Sequence, residues 1–383
     1  MTDKSDRGHS HKAPVVFSQS LGLDKIPETF GLAVVCAVRN EALRLADFLR
    51  HYRAIGAEHF FIIDNGSTDG SLAQLISAKD VSVFCSSASF KKTKGRWFKQ
   101  IADKYLKHKW VLFVDADELF VYPGFPDFKL GELIKYWEAN GVQSVYAPLV
   151  DMYSKEPPQC MSYNSEESLL ATYPYFDGMG YRIHERKKCR PDQHPHFYMR
   201  GGVRERFFYN SNKILSKVEV QIQHSIFKLE SRKLRRFLMW PLRLLFKRKW
   251  PCSPILSKVP LHYWRKSMST GGGSLHSCNG ETVMADDWCS LLHFKFLPDF
   301  EQVVARAIER GEYWKGASEY KVYQKKLGDL KKHGLMHPWS RQLTSMQDLK
   351  EEGLMRTSAG LEAYLDTNSA SGLASEPDKM AIV

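Results

Sequence analysis

The 383-residue sequence has no run of about 18 apolar residues, the length a helix needs to cross a hydrocarbon core. Its first residues, MTDKSDRGHSHKAP, hold no apolar segment of signal-peptide length. Cysteine is sparse and unpatterned. The seven cysteines, at positions 36, 85, 160, 189, 252, 278 and 289, are odd in number and lack CxxC spacing, which suits small buried residues in a reducing compartment. Acidic residues fall short of basic ones, 43 against 55, for a formal net charge of +12. That surplus favours polyanionic partners, whether nucleotide phosphates, acidic lipid headgroups or nucleic acid. With 43% hydrophobic and 26% charged residues, the composition is that of an ordinary globular chain of one large domain or two. These absences predict a cytoplasmic protein without a transmembrane span.

The richest stretch is Trp110 to Leu119, WVLFVDADEL, where an apolar run meets Asp115, Asp117 and Glu118. Such a run reads as a strand buried on both faces, as in a parallel sheet covered by helices. Ligands of open α/β sheets sit beyond the carboxyl ends of strands, where these carboxylates fall. Asp115 and Asp117 can both face that crevice if the chain leaves the strand in a turn. Carboxylates there suit a hard divalent ion such as Mg²⁺ or Mn²⁺. An acidic turn without a metal is the plain alternative.

The preceding residues repeat one theme. Leu32 to Val38 is a second apolar strand, ending in Arg39-Asn40-Glu41, and Leu45, Phe48, Leu49, Tyr52 and Ile55 then recur at helical spacing up to Gly56. His59 to Ile63 ends in Asp64-Asn65-Gly66-Ser67-Thr68-Asp69-Gly70, a turn that caps a short helix through Ile76. Val81 to Cys85 follows as a strand, then a basic loop, Lys91 to Arg96, and a helix from about Trp97 to Lys107. Four strands alternating with helices predict an α/β fold with a doubly wound, mostly parallel sheet.

These three strand ends, in this order within about 80 residues, resemble family 2 glycosyltransferases of the GT-A (Rossmann-like) fold, and most of all a bacterial branch carrying DxDE. The likeness covers residues 30 to 150. It implies a nucleotide-diphosphate-sugar donor held near Asn40, Glu41 and Asp64, with Asp115 at the ribose or the metal's waters and Asp117 on the metal bridging the diphosphate. Val38 and Arg39 stand where the family often has a proline and an aromatic residue. The expected cofactor is Mn²⁺ or Mg²⁺. A cation on Asp117, with Arg96 or Lys94 nearby, would stabilise the diphosphate as charge develops on it. The acceptor hydroxyl needs a carboxylate base opposite the leaving group, which gives inversion, as in that family.

Beyond residue 120, Leu130 to Ala139 reads as a helix and Val142 to Val150 as a strand, followed by a loop-rich acceptor region from 151 to 298. His184, Cys189, His194 and His196 lie close together but lack the paired spacing of a structural zinc site. Gly201 to Phe208, GGVRERFF, resembles a run at the same place in the bacterial branch and makes Glu205 a candidate base. Its alternative is an ion pair with neighbouring arginines. Residues 228 to 250 interleave nine Lys or Arg with Leu, Phe, Met and Trp, the pattern of an amphipathic segment on an anionic membrane surface. Lys258 to Trp264 is a further strand, and a Gly-rich loop with His276 leads to Leu291-Leu292-His293-Phe294-Lys295. By the same resemblance His293 is the third metal ligand beside Asp115 and Asp117. Lys295 would reach the diphosphate and His276 the sugar or acceptor, while Asp287 is the rival base.

The expected organisation is a flexible lead-in (1–30), a nucleotide-sugar-binding core (31–150), the acceptor region (151–298) with its basic insert (228–250), C-terminal helices (299–367) and a disordered tail (368–383). The function expected is metal-dependent inverting glycosyl transfer to a glycan or lipid-linked acceptor, in surface polysaccharide or lipid-linked glycan assembly, by an enzyme peripheral at the inner face of the cell membrane. Nucleic acid is not an expected partner, since no recognised binding module accompanies the basic residues. Two alternatives remain: a haloacid-dehalogenase-like phosphohydrolase using the DxD, and a non-catalytic membrane-bound scaffold on a degenerate sugar-nucleotide fold.

Overall fold

Every residue of Leu32–Val38 is buried, and the strand divides its side chains between two cores. Leu32, Val34, Cys36 and Val38 join one, while Ala33, Val35 and Ala37 join the other. His59–Asp64 and Trp110–Val114 split in the same way, with Phe60, Ile62, Leu112 and Val114 on one face and Phe61, Ile63, Val111 and Phe113 on its opposite. Period-two alternation of wholly apolar strands produces this only when helices cover both sides of the sheet. The computed structural model describes residues 15–163, 167–186, 192–209, 237–238, 253–270, 275–312 and 314–370.

The fold is α/β, built on one ten-stranded mixed sheet. Its strands are β1 (Gln19–Leu21), β2 (Leu32–Val38), β3 (His59–Asp64), β4 (Val81–Cys85), β5 (Trp110–Val114), β6 (Glu118–Val121), β7 (Ser144–Asp151), β8 (Ser257–Tyr263), β9 (Met284–Trp288) and β10 (Ser290–His293). They lie in the order β1-β4-β3-β2-β5-β8-β7-β10-β6, with β9 pairing β7. Strands β2 to β5 are mutually parallel. The chain builds outward from β2 through β3 to β4 and then returns to the other side of β2 as β5. The order therefore reverses between β2 and β5, which opens a crevice at their carboxyl ends.

Helix α1 (Ala42–Ala54) lays Leu45, Phe48, Leu49 and Tyr52 on one face of the sheet, and α4 (Leu130–Ala139) adds Leu130, Leu133 and Trp137 to the same core. Complete burial of a side chain such as Phe48 is worth about 1.5–3 kcal/mol. Helix α2 (Ser71–Ser77) follows β3, and α3 (Phe90–Tyr105) covers the opposite face with Trp97, Phe98 and Ile101. A third core joins Phe208 and Phe296 to α5 (Phe300–Arg310) and to the aromatic residues Tyr320 and Tyr323 that follow it.

Several expectations change. The lead-in is not loose as far as residue 30, since Gln19–Leu21 pairs antiparallel with Val83–Cys85 at the sheet edge. The basic stretch 91–96 is not a loop but the first turns of α3, whose helical spacing buries Thr93, Lys94, Trp97 and Phe98 together. The turn after Trp110–Val114 falls at Asp115-Ala116-Asp117 as the acidic residues suggest, but the chain then reappears as a further, antiparallel strand, β6. A helix, Ala359–Ala370, runs past residue 367. Of the basic insert only Phe237 and Leu238 are described, and Phe237 is exposed. Residues 371–383, Cys189 and the glycines 271–273 lie outside the described residues. No helix among the described residues is long and apolar enough to cross a membrane.

Candidate active site

Two strand registers build the centre of the site. Strand β10 pairs antiparallel with β6, setting His293 opposite Glu118, and parallel with β7, setting His293 opposite Asp151. Glu118, His293 and Asp151 therefore form one row across three strands. Asp117 closes it from the turn: its carbonyl receives the Phe294 N–H at 2.8 Å and its carboxylate lies 3.1 Å from His293 Nε2. The other ring nitrogen, Nδ1, lies 2.5 Å from Asp151. Asp151 in turn accepts from Arg204 Nε at 2.7 Å.

This arrangement sets the charge states. Burial disfavours ionised Asp117, but His293, Lys295 and Arg44 outweigh it and hold the carboxyl far below the usual carboxylate range. Asp151 is likewise drawn down to about 2, where Arg204 and His293 overcome burial. Burial pulls the His293 pKa down, and the two flanking aspartates more than restore it, so the value is raised.

Asp115 has different company. Lys258 donates to one of its oxygens at 2.8 Å, Lys94 of α3 to the other, and Lys258 also bonds Glu118. The antiparallel pairing of β8 with β5 sets Leu261 opposite Leu112, and three residues on from Leu112 and three back from Leu261, Lys258 reaches Asp115. Burial opposes the charge on Lys258, yet Asp115 and Glu118 push its pKa above the ordinary lysine value. Asp115 is held well below the carboxylate range by the two lysines, against the effect of burial.

At the crevice between β2 and β5 stands Glu41, bonded by Arg44 at 3.1 Å, while Arg44 also grips Asp299 at 2.8 Å. Burial, with Asp117, Asp299 and Asp115 adding to it against Arg44, lifts the Glu41 carboxyl to about 7. Asn40, at φ 58°, accepts the Thr68 N–H at 2.7 Å and donates its own N–H to Ser67 at 3.0 Å, tying the first strand end to the second. Asp64 accepts from Gly66 N–H at 3.1 Å and closes the turn. Asn40 and Asp64 therefore shape this wall through bonds to the Gly66–Thr68 turn.

Other sequence candidates are placed elsewhere. Glu205 is buried and committed, with one oxygen bonded by Arg182 and its partner oxygen by Ser253. Its ion pair is an internal one with Arg182 rather than a surface pair with its sequence neighbours. Asp287 sits at the far end of the sheet: β9 pairs with the first half of β7, and the carboxylate accepts from Trp137 at 3.0 Å and from Ser358 N–H at 2.6 Å. Neither is available as a base at the Asp117 turn. Arg96 is exposed on α3, and Lys94 is the residue of that stretch that meets Asp115. Lys295 lies within electrostatic reach of Asp117 and against Tyr320. His276 bonds the Ser257 carbonyl through Nδ1 at 2.7 Å, next to Lys258.

For a metal, the fitting group among the described residues is Asp117, Glu118 and His293, whose ligand atoms lie within 4.8 Å of one another. Two carboxylates and an imidazole suit Mn²⁺ or a similar divalent ion. The His293 Nδ1 bond to Asp151 is the outer support such ligands need to aim Nε2. Asp115, expected among the ligands, lies outside this group and is engaged by two lysines, one of which, Lys258, it shares with Glu118. Sequence reasoning missed Lys258, Asp151 and Arg44. A lysine and an aspartate inside otherwise apolar strands, VYAPLVD and SKVPLHY, were the available signal, because buried charges need partners.

No protein-family model and no curated protein matches the chain. Among solved structures it is similar to S. aureus TarS, at 17% identity and a TM-score of 0.26, over 37% of this chain and 26% of that one. It is similar to S. aureus TarS 1–349 in complex with UDP, at 15% identity and TM-score 0.25, over 37% of this chain and 43% of that one. A third is glucosyl-3-phosphoglycerate synthase from Mycobacterium tuberculosis in complex with Mn²⁺, UDP and glucosyl-3-phosphoglycerate, at 18% identity and TM-score 0.22, over 33% of this chain and 44% of that one. The chain thus spans less than half the length of each of these three.

Proposed function

We propose that the protein is a metal-dependent inverting glycosyltransferase of the GT-A type, moving a sugar from a nucleotide-diphosphate donor to a hydroxyl of a glycan or lipid-linked acceptor. One observation carries the reading: the Asp115-Ala116-Asp117-Glu118 turn stands beside the switch point of the sheet and faces a histidine and four basic residues. A donor diphosphate brings two to three negative charges, and Lys94, Lys258, Lys295 and Arg44 supply a complementary field. Asp117, Glu118 and His293 would hold the ion, which polarises the diphosphate as the sugar leaves. Asn40, Glu41 and Asp64 line the nucleotide side, and a Glu41 carboxyl near neutrality can donate or accept a hydrogen bond to a ribose hydroxyl. A peripheral place on an anionic membrane, through the basic segment 228–250, completes the proposal.

The phosphohydrolase reading needs Asp115 as a free nucleophile, whereas both of its oxygens are held by lysine. The test is calorimetric titration of UDP, GDP and their sugar conjugates, with and without Mn²⁺, into the wild type and the Asp115→Ala/Asp117→Ala variant. Metal-dependent binding lost in the variant is expected and names the nucleotide. Folded protein that binds none of them would overturn the proposal.

A further inference from the structure

The acceptor side of the site carries charge that the donor reading does not use. Phe197–Arg200 pairs antiparallel with Arg182–Glu185. Alternation sends Met199 into the core and turns Tyr198 and Arg200 the other way. The Tyr198 ring is flanked by two guanidinium groups, Arg186 at 5.8 Å and Arg200 at 5.3 Å. Arg186 donates to the carbonyls of Pro195 at 3.1 Å, Phe197 at 3.2 Å and His276 at 2.7 Å. Carbonyls orient a guanidinium but do not neutralise it.

Neighbouring arginines are treated differently. Arg182, Arg204 and Arg206 each have a buried carboxylate, Glu205, Asp151 and Asp177 respectively. No carboxylate pairs with Arg186 or Arg200 among the described residues. Arg200 Nη1 and Arg204 Nη2 are buried donors without a partner among the described residues. Arg204 is only 4% exposed. A buried guanidinium nitrogen left without an acceptor is costly, and a site that binds an anion supplies the acceptor. His276 links these groups to the centre, since it faces Lys258, Arg204 and Arg186. Burial first, and these cations next, hold its imidazole at about 4, so it adds no charge near neutral pH.

We propose that Arg186, Arg200 and Arg204 form a subsite for a phosphate group carried by the acceptor. The inference rests on the glycosyltransferase reading for the word acceptor, and on the arginines alone for the phosphate. A tetrahedral anion with several oxygens suits neighbouring guanidinium forks better than a single carboxylate does. Arg204 bonds Asp151 at the end of β7, the same carboxylate that bonds His293, so the subsite adjoins the side of the site proposed for the ion and lies away from the nucleotide crevice between β2 and β5. The donor diphosphate keeps Lys94 and Lys295.

The experiment titrates full-length protein with glycerol 3-phosphate, before and after saturation with UDP and Mn²⁺. Binding in both states is expected, weakened at least about tenfold by Arg186→Gln and by Arg200→Gln with UDP binding unchanged. These two positions are chosen because Arg204 also neutralises buried Asp151, so its loss would disturb folding. Asp117→Ala should show the converse, losing UDP–Mn²⁺ and keeping glycerol phosphate. Sedimentation with phosphatidylglycerol and phosphatidylcholine vesicles separates the sources. Arginine-dependent binding to phosphatidylglycerol vesicles assigns the phosphate to a lipid, and arginine-dependent binding of glycerol 3-phosphate alone assigns it to a soluble acceptor. Phosphate binding that ignores both substitutions, or that UDP abolishes, overturns the subsite. Arginine-dependent phosphate binding in a protein that binds no nucleotide would sink the transferase reading and leave the subsite standing.

Discussion

His293 Nδ1 and Asp151 Oδ1 lie 2.5 Å apart across adjacent parallel strands, and Arg204 closes the other oxygen of the same carboxylate. The ring is thereby fixed in rotation, with Nδ1 turned to Asp151 and Nε2 to Asp117. A metal ligand is useful only when aimed, and in the proposed metal site Asp151 would supply that aim without itself touching the ion.

Asp151→Asn should therefore lower Mn²⁺ affinity by about 10- to 100-fold while leaving all three ligands in the sequence. Asparagine keeps the volume and an acceptor oxygen but loses the charge that Arg204 and His293 share. Titration of Mn²⁺ followed by electron paramagnetic resonance reads the effect directly, with His293→Gln as the full-loss comparison. Wild-type affinity in Asp151→Asn would mean that the ring needs no support.

Lys258 links Asp115 and Glu118, and its removal leaves two carboxylates side by side. Lys258→Met should cost about 3–5 kcal/mol of folding stability, as expected for breaking a buried pair from one side. Adding Glu118→Gln to that variant should recover part of the loss, since the remaining buried charge goes with it. Urea denaturation of the two single variants and the double variant gives the coupling energy. Strict additivity would show that Lys258 and Glu118 do not share the interaction.

Much of the first half of the chain was legible because its signals are local. An apolar strand followed by a polar turn and a 3.6-residue stripe needs no knowledge of the rest of the chain, and β2, α1, β3 and β5 follow from it. The turn after Val114 was also local, since two aspartates at i and i+2 are poor continuations of a strand buried on both faces. What joins distant segments was harder. The row Glu118, His293, Asp151 depends on the pairing of three strands separated by up to about 170 residues, and no spacing rule reports it. The basic stretch 91–96 was misjudged by composition: lysine density suggested a loop, while the helical spacing of Thr93, Lys94, Trp97 and Phe98 was the better guide. Glu205 drew attention as a charged residue beside arginines, and its true partner, Arg182, lies 23 positions earlier.

Gly201 is required by geometry rather than by flexibility. Its φ is +127°, and a Cβ there would stand 2.2 Å from the Gly180 carbonyl oxygen and 2.8 Å from Tyr181 Cα. Gly201→Ala combines a strained backbone with a clash against main chain, so the loss should be at least about 2 kcal/mol. Gly66→Ala is the comparison, because φ is +77° there but nothing lies within 4 Å of the added carbon. Its cost should stay near about 1 kcal/mol. Equal melting temperatures for the two variants would remove the steric argument.

Two buried histidines predict how the fold responds to acid. His51 Nε2 donates to the Phe120 carbonyl at 2.8 Å, and His262 is bonded at both nitrogens, to Ser144 and to the Val259 carbonyl, each at 2.8 Å. Burial holds both imidazoles at about 4, against about 6.5 in an unfolded chain. Between those values the unfolded chain takes up protons and the folded chain does not. Stability is therefore full above pH 6.5 and falls with pH down to about 4, by on the order of 3 kcal/mol for each histidine. His293, whose pKa is raised, contributes in the opposite sense: its share is complete below pH 6.5 and declines as pH rises past its folded value. Asp117 and Asp151 hold their share until pH drops below the ordinary carboxylate range. Between pH 6.5 and 4.5 these imidazoles act against Glu41, whose carboxyl, lifted to about 7, takes up its proton in the fold first and so adds stability as pH falls; the slope is their sum. Urea denaturation at pH 7.5, 6.0 and 4.5 should show it, with a shallower slope in His262→Asn. An unchanged slope in His262→Asn would mean that this imidazole is already charged inside the fold.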